Sequence, residues 1–319
     1  MDGRAGKRLK LIASAGLAGT RLDAVLAGWL PEALGRPVSK AKVRKLIMAG
    51  AVQVNGSRVR NAAIALSPGA TIEAHVDPSR LFDDLTARDK RFELTPARIL
   101  FEDADLIAID KPSGLPAHPT LDEGRDNLVA AVTRFLAKRD GRAPYIGLHH
   151  RLDRDTSGVV LFTKSQRVNA AVAEAFTRRR VVKIYQALAG SHRKLDSEWT
   201  IKNQIGKIST KSKRAKYGAV DSDGQAAETS FRVIEQHPHG IWIEAVPRTG
   251  RTHQIRVHLA EYGLPILGDD LYGEPSALAP RLMLHASRLT FPHPITGAEV
   301  IVKSPLPGDF KSCLNRIAG

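Results

Sequence analysis

The run Val159-Val-Leu-Phe-Thr163 is the strongest constraint on the fold, because it is uncharged throughout and stands between Gly158 and Lys164. A short apolar run rich in β-branched residues and bounded by turn residues predicts a strand buried inside a sheet. The residues just before it, 150–158, are instead dense in charged and polar side chains. Such a loop at the mouth of a buried strand is typical of an active site, although an ordinary surface turn with an Asp-Arg pair carries the same residues.

Further short apolar runs predict a sheet around this strand. Residues 99–101 and 106–109 are separated by an acidic turn and predict two consecutive strands. Other strands are predicted at 183–188, 229–234 and 242–246, and helices near 127–138 and 168–177. Several adjacent strands with few helices predict an α+β fold, in which helices flank a mixed, largely antiparallel sheet.

The N-terminal part predicts a small separate domain with two helices. Thr20 is placed to cap the first helix and Ser39 the second. The apolar stripes at helical spacing are Leu22, Val25, Leu26 and Trp29 in the first helix and Val43, Leu46 and Ile47 in the second. Gly50 ends the second helix, and Asn55-Gly56 predicts a tight hairpin turn after it.

The composition predicts a folded, soluble protein with an anionic partner. The chain has 319 residues, enough for two hydrophobic cores, and 48 Lys and Arg against 33 Asp and Glu give a net charge of +15. Nucleic acid is therefore the favoured partner, with a merely solvated basic surface as the alternative. The single Cys313 allows no internal disulfide and suits a cytoplasmic location, and no membrane-spanning or secretory segment is predicted.

Four regions follow from these patterns. Residues 1–17 form an N-terminal extension, 18–76 the small α/β domain, 77–96 a polar linker and 97–319 the large domain. Residues 1–60 hold 12 Lys or Arg against 3 Asp or Glu, so much of the positive charge belongs to the small domain. A second basic stretch, 207–216, predicts either a loop for distant phosphates or a solvated loop.

Three sequence elements of the small domain resemble the S4-like RNA-binding domain first seen in a ribosomal protein. They are Arg21-Leu-Asp23, Ser39-Lys40 and Gly50-Ala-Val-Gln-Val-Asn-Gly56. The resemblance implies that the basic face of the second helix docks on folded RNA, through its backbone and shape more than its sequence. The implied RNA-binding residues are Arg21, Lys40, Lys42, Arg44 and Lys45.

In the large domain, His150-Arg-Leu-Asp153 followed by Thr156-Ser-Gly158 resembles the signature of the RluA type of pseudouridine synthase. Four other elements resemble the family's motifs in the same order. They are Lys111-Pro-Ser-Gly114, Lys183-Ile-Tyr-Gln-Ala187, Arg251-Thr-His-Gln-Ile-Arg-Val-His-Leu259 and Pro265-Ile-Leu-Gly-Asp269 with Leu271-Tyr-Gly273. The resemblance implies an RNA-modifying isomerase whose catalytic carboxylate is Asp153 and not Asp155.

The same resemblance implies roles for other residues of this domain. Arg256 is the expected cationic partner that keeps Asp153 ionised, and Tyr185 is expected to stack on the uracil and to transfer a proton. Leu152 and Leu284 are expected to pack against the base. Arg151, Arg154, Arg251 and His253 are the implied RNA-binding residues around it.

Neither a cofactor nor a metal is expected. Isomerisation of uridine involves no redox step, so one carboxylate can assist it either by attacking the sugar or by taking up a proton. His253 and His258 are five residues apart, and on a helix they point about 140° away from each other, which disfavours a shared metal. His253 and Arg256 are three apart and are expected to share one face.

The substrate implied by the resemblance is structured RNA, with large-subunit (23S) ribosomal RNA favoured and transfer RNA as the alternative. A non-catalytic RNA-binding or ribosome-assembly protein is a second interpretation, but an acidic Asp153 in a phosphate-facing cleft would weaken simple binding. A glycoside or nucleoside hydrolase using Asp153 and Asp155 is a third, but residues two apart in an extended loop cannot flank one bond. Nothing in the sequence requires more than a monomer.

Overall fold

The computed structural model describes residues 7–77, 91–119, 126–190, 196–209, 215–274 and 276–319. The chain divides into two compact units, Met1–Arg91 with Pro119–Arg125 and Phe92–His118 with Asp126–Gly319. Residues 78–90 of the predicted linker and 210–214 of the predicted basic loop lie outside the described residues. None of the described helices is long and apolar enough to cross a membrane.

The described residues of the N-terminal unit form a four-stranded antiparallel sheet and two helices. Its elements are β1 Lys7–Ile12, α1 Leu22–Leu34, α2 Lys40–Met48, β2 Val52–Val54, β3 Ser57–Val59 and β4 Thr71–Val76. The strand order is β1-β4-β2-β3. β1 lies within the residues that the sequence assigned to an extension, and it pairs with β4 along its full length. Residues 7–12 are therefore part of this sheet.

Apolar residues from both helices and from the sheet form the core of this unit. Leu22, Leu26, Val43 and Ile47 are fully buried, as the helical spacing predicts. The predicted cap by Thr20 is wrong, because Arg21 precedes α1 and no side chain caps that helix. Ser39 does cap α2, with Oγ accepting a hydrogen bond from the Lys42 amide at 3.4 Å. Asn55 and Gly56 both have positive φ, which confirms the predicted tight turn.

The larger unit is built on one sheet, in which the order is β11-β10-β12-β13-β9-β14-β8-β6-β5. β15 pairs with β14 and β7 with β8. The strands are β5 Ile99–Glu102, β6 Leu106–Lys111, β7 Gly147–Leu148, β8 Ser157–Thr163, β9 Val182–Ala189, β10 Glu198–Ser209, β11 Lys216–Ala219, β12 Gln225–His237, β13 Gly240–Pro247, β14 Leu284–Pro292 and β15 Glu299–Lys303. All of these pairs are antiparallel except β8 with β14. The predicted mixed, largely antiparallel sheet is confirmed.

In the described part of the chain, four helices accompany this sheet: α3 Leu128–Asp140, α4 Asn169–Thr177, α5 Gln254–Glu261 and α6 Gly308–Ala318. Both helices predicted from the sequence are found, as α3 and α4. Asn127 caps α3, since its side chain accepts a hydrogen bond from the Ala130 amide at 3.0 Å. The sequence pattern did not predict β7, β10, β11, β14 or β15.

β8 is buried at all seven positions, which confirms the burial predicted for Val159-Val-Leu-Phe-Thr163. Successive side chains enter different cores, because strand residues alternate between the two faces. Val160 and Phe162 pack in the core that contains α3, whereas Val159 and Leu161 pack in the one that contains α4. Helices on both faces explain why this strand is apolar without alternation.

Candidate active site

The loop before β8 is held rigidly by hydrogen bonds to its neighbours. His150 Nε2 accepts the Leu161 amide at 2.9 Å, and its ring stacks on Phe176 with centroids 5.0 Å apart. Burial, with the charge of Lys183, lowers the pKa of His150 to about 3, so the ring is neutral and suited to accept this bond. The imidazole thereby fixes the start of the loop to the strand that follows it.

Lys111 fixes the other end of the same loop. Its Nζ donates to the carbonyls of Leu115 and Arg154 at 2.8 Å and of Pro112 at 3.0 Å. The side chain is fully buried, and this burial lowers its pKa to about 7 despite the nearby Asp155 and Asp153. Lys111 therefore joins the Lys111-Pro-Ser-Gly114 turn to the loop that carries Asp153.

Asp153 faces two cationic or potentially cationic side chains from α5. Its Oδ2 lies 3.4 Å from Arg256 Nη1 and 3.8 Å from His253 Nε2. The carboxylate is 29% exposed, whereas the Arg256 side chain is only 7% exposed. The Asp153 carboxylate is therefore partly accessible to solvent, whereas the Arg256 guanidinium beside it is buried.

Arg256 is held in place by a second carboxylate, Asp269. Its Nε and Nη2 donate to the two Asp269 oxygens at 2.7 Å each, a bidentate pair. Asp269 also accepts the amides of Leu271 and Tyr272 at 3.0 and 3.1 Å. Burial opposes the charge of the guanidinium, but the bonds and charge of Asp269, with Asp153, raise the pKa of Arg256 above its usual value.

His253 stands at the start of α5 in a left-handed conformation, with φ of 59°. Its Nδ1 lies 2.9 Å from the Tyr272 hydroxyl, which accepts the Tyr217 amide at 3.0 Å. Since that hydroxyl is already an acceptor, its own proton can go to Nδ1, which leaves the ring proton on Nε2 facing Asp153. Burial lowers the pKa of His253, although the charge of Asp153 opposes this.

Asp153, His253 and Arg256 line a cleft of about 690 Å³, a volume typical of small-ligand sites. Tyr185 from β9, Leu152 and Leu284 also line it, and both leucines are buried. Burial and the charge of Asp153 raise the pKa of the Tyr185 hydroxyl, so the phenol stays protonated. The cleft therefore combines a carboxylate, an aromatic ring and apolar side chains.

Models of protein families match two parts of the chain. The RNA pseudouridylate synthase model covers residues 105–261, and the S4 domain model covers residues 20–72. A ribosomal large subunit pseudouridine synthase D of Neisseria meningitidis is 33% identical, over 97% of this chain and 81% of that protein. The chain belongs to the RNA pseudouridine synthase family. It is an isomerase that acts on RNA, with an S4 domain in its N-terminal unit.

Other proteins resemble the synthase over most of its length. Ribosomal large subunit pseudouridine synthase C of Yersinia pestis is 33% identical over 94% of this chain and 93% of that protein. Human RNA pseudouridylate synthase domain containing 4, a solved structure, has a TM-score of 0.57 and 28% identity over 75% of this chain and 96% of that one. The chain therefore shares its fold with this solved structure over most of its length. The larger unit, Phe92–His118 with Asp126–Gly319, contains the cleft and is called the catalytic unit below.

The rim of the synthase's cleft is basic. Arg151 and Arg251, both named from the sequence, line it. Arg251 is held by the Ala226 carbonyl and the Gln225 side chain at 3.0 Å each. Three further cationic residues of the lining were missed: Arg179, Lys183 and Arg248. Two features of the sequence could have indicated these residues: the run Arg178-Arg-Arg180, and the position of Lys183 two residues before Tyr185.

Arg154 is not brought to this cleft. Its guanidinium forms a bidentate pair with Asp155 at 2.8 Å, and the residue is absent from the lining. Asp155 lines a different cavity together with Lys111 and Arg281. The two aspartates of the loop therefore face different sides, which agrees with the expectation that they cannot flank one bond.

The basic residues predicted in the S4 domain belong to the other unit. Arg21 and Arg44 both donate to Asp23 at 3.0 Å. The bond from Arg21, supported by Arg44, lowers the pKa of Asp23 to about 2. Lys40 is exposed on α2, and the side chain of Lys45 is outside the described residues.

His258 does not line the cleft, unlike His253, although both residues are in or next to α5. It is fully buried, and its two ring nitrogens lie 2.9 Å from Thr229 Oγ1 and Asn203 Oδ1. Burial lowers its pKa to about 4, so it is a neutral packing residue. Within the described parts of the chain, no three His, Cys, Asp or Glu side chains cluster as metal ligands would.

Proposed function

We propose that the synthase converts specific uridines of large-subunit ribosomal RNA to pseudouridine, with Asp153 as the catalytic carboxylate. The observation that carries this proposal is the position of Asp153 Oδ2 in the cleft, 3.4 Å from the buried Arg256 guanidinium. The choice of RNA rests on the relatives named ribosomal large subunit pseudouridine synthases. Mapping of pseudouridines in total RNA distinguishes ribosomal RNA from transfer RNA, which is the alternative substrate from the sequence.

The reaction breaks the bond between ribose C1′ and N1 of uracil and forms one between C1′ and C5. In one route Asp153 attacks C1′ while the bonding electrons leave with the uracil; C5 of the turned uracil then bonds to C1′, and the bond between Asp153 and C1′ breaks to release the carboxylate. In the other route Asp153 takes the C2′ proton as the uracil leaves, which forms a glycal, and returns a proton to C2′ when C5 bonds to C1′. In both routes N1 gains a proton and C5 loses one. Both begin with an ionised carboxylate, and the Arg256 guanidinium lies 3.4 Å from it.

Asp269 serves this chemistry through Arg256. By using Nε and Nη2 it fixes the plane of the guanidinium and leaves Nη1 directed at Asp153. Without Asp269, the buried Arg256 guanidinium could form a bidentate pair with Asp153. Such a pair would occupy both oxygens of the Asp153 carboxylate and lower the reactivity of that carboxylate. We therefore assign Asp269 a positioning role.

Tyr185, Leu152 and Leu284 are proposed to hold the uracil during its rotation. An aromatic ring and two apolar side chains bind the faces of a base without restricting it to one hydrogen-bonded orientation. The raised pKa of Tyr185 keeps its hydroxyl protonated and able to donate to a uracil oxygen or to take part in the proton transfer between C5 and N1.

The target uridine has to leave its stack to reach this cleft, which costs a few kcal/mol. Arg151, Arg251 and His253 are proposed to offset this cost by binding the displaced nucleotide and its neighbours. In the N-terminal unit, Arg21, Lys40, Lys42, Arg44 and Lys45 are the proposed contacts to the RNA backbone. Phosphate contacts of this kind fix the position of an RNA without reading its sequence.

Replacing Asp153 by Asn tests the proposal, because it removes the charge and keeps the size of the side chain. Carbodiimide mapping of total RNA from cells without the gene is compared with cells that regain the wild type, Asp153→Asn or Asp155→Asn. We expect Asp155→Asn to restore the pseudouridines and Asp153→Asn to restore none, while purified Asp153→Asn still binds the RNA. Turnover by Asp153→Asn would refute the catalytic assignment, and signals confined to transfer RNA would refute the ribosomal substrate.

A further inference from the structure

Lys183 and Tyr185 are neighbours on the same face of β9. Residues two apart in a strand point the same way and are separated by about 7 Å. Both side chains line the cleft. A nucleotide whose base stacks on Tyr185 therefore has Lys183 within reach of its own or an adjacent phosphodiester.

The Lys183 ammonium lacks the kind of partners that satisfy the enclosed ammonium groups of Lys111 and Lys164. Its Nζ donates to the Thr249 carbonyl at 3.2 Å, and no carboxylate of the described residues forms an ion pair with it. Lys111 Nζ, in contrast, donates to three carbonyls, and Lys164 Nζ pairs with Glu102 at 2.6 Å. An ammonium has three protons to donate, so the Lys183 group retains capacity for a ligand.

The surroundings of Lys183 are themselves positive. Arg179, Arg248 and Arg251 line the same cleft. Burial lowers the pKa of Lys183, and the charge of Arg251 lowers it further, whereas burial and then the charge of Asp153 raise the pKa of Tyr185. The cleft is thus polarised, with the carboxylate near Tyr185 and an excess of cations beyond it.

We propose that Lys183 is the centre of a phosphate-binding subsite, which holds a phosphodiester of the RNA beside the everted uridine. This inference rests on the proposed function, since it assumes that a uridine enters the cleft. A phosphodiester supplies both the negative charge and the acceptor oxygens that this group lacks, whereas a uracil carbonyl supplies an acceptor without charge. Holding the backbone at Lys183 fixes the ribose with its C1′ towards Asp153.

The structural alternative is that Lys183 only secures the 247–250 segment through the Thr249 carbonyl. Lys183→Gln separates the two roles through the salt dependence of binding, because it removes the charge, whereas loss of the neutral contact to Thr249 does not change the number of phosphates neutralised. Lys183→Arg keeps the charge. Lys303→Gln is the matched control, since Lys303 is an exposed strand lysine that does not line the cleft.

The test measures RNA affinity as a function of salt. The RNA is an unmodified transcript around a uridine whose pseudouridine signal depends on this gene, and filter binding is performed at several KCl concentrations. All variants carry Asp153→Asn, so that no turnover occurs during the measurement. Equal melting temperatures and circular dichroism spectra establish that the variants are folded.

For Lys183→Gln we expect about tenfold weaker binding at low salt, from loss of a charge-assisted bond. The slope of log K against log[KCl] should become shallower by roughly 0.7 to 0.9, the value for one phosphate. Lys183→Arg should keep the wild-type slope, and Lys303→Gln should change neither quantity.

Three results would overturn the inference. The first is an affinity and a slope that are both unchanged in Lys183→Gln. The second is a weaker affinity of Lys183→Gln with the slope preserved, which indicates a neutral contact. The third is an equal loss of slope in Lys183→Arg. If mapping finds no gene-dependent uridine, the proposed function fails and this inference fails with it. A mapped uridine with an unchanged slope removes only the inference.

Discussion

At the scale of residues, the proposed catalytic centre consists of a single guanidinium between two carboxylates. Arg256 makes its two short bonds to Asp269 at 2.7 Å, and its contact to Asp153 is longer, at 3.4 Å. The tighter pair is the more buried one, because the Asp269 side chain is fully enclosed and Asp153 is partly exposed. This asymmetry positions Arg256 without blocking the carboxylate that faces the cleft.

Replacing Asp269 by Asn should therefore weaken both stability and activity. The variant breaks the buried pair and leaves the guanidinium with only its longer contact to the partly exposed Asp153. Breaking a buried ion pair typically costs about 3–5 kcal/mol. We expect the free energy of unfolding in urea to fall by that order and single-turnover pseudouridine formation to slow. Asp309→Asn, which removes the partner of Arg281 at a more exposed pair, should change both far less. Equal effects of the two variants would contradict the positioning role of Asp269.

Sequence patterns predicted the residues of this site better than their contacts. The motif around Asp153 and the positions of Tyr185 and Arg256 were identified, and the structure brings all three to one cleft. The bidentate pair of Arg256 with Asp269 was not predicted. Which of several charged residues meet across separate loops depends on the backbone path, and spacing along the chain does not encode that path.

At the scale of elements, the sheet was predictable where burial makes a strand uniformly apolar. β8 is such a strand, whereas β10 and β14 were missed because polar residues interrupt their apolar pattern. β14 is central in the sheet, and its buried His285 is accommodated because Nδ1 lies 2.9 Å from Ser157 Oγ on β8. A polar residue in a core depends on a partner that the local sequence cannot reveal.

The parallel contact between β8 and β14 depends on Gly158. It has φ of 117°, and a Cβ there would overlap the backbone of Ala286 on β14. Gly297 also has positive φ, 71°, but open space around it. Gly297→Ala should cost about 1–2 kcal/mol, the strain of a left-handed residue. Gly158→Ala should cost clearly more in urea unfolding and should reduce turnover, because separating the strands moves the loop that carries Asp153.

Comparing the two alanine variants separates backbone strain from overlap. If Gly158→Ala unfolds at the same urea concentration as Gly297→Ala, the overlap is relieved without cost and the contact with β14 does not set the position of the loop. A larger loss only in Gly158→Ala supports the view that this one close approach links the central strand to the loop that carries Asp153.

At the scale of the whole molecule, the chain combines two units with separate cores, one matching the S4 domain and one matching the synthase family. The proposed catalytic residues all belong to the second unit, whereas the positive charge is concentrated in the first 60 residues. Affinity that depends on counterion release is expected from any basic surface that meets phosphates. The N-terminal unit is therefore expected to supply salt-dependent affinity and the catalytic unit the turnover.

This division predicts the behaviour of Lys40→Gln, at an exposed position of α2. Removing one lysine–phosphate interaction should make the slope of log K against log[KCl] shallower by roughly 0.7 to 0.9. Arg44→Gln is the control on the same helix, and it should change the slope less, because the Arg44 charge is already balanced in part by Asp23 at 3.0 Å. Filter binding of the mapped RNA transcript measures the slopes of the wild type and of both variants. A slope unchanged in Lys40→Gln would mean that this face of α2 does not meet phosphates, and the positive charge of this unit would then need another partner.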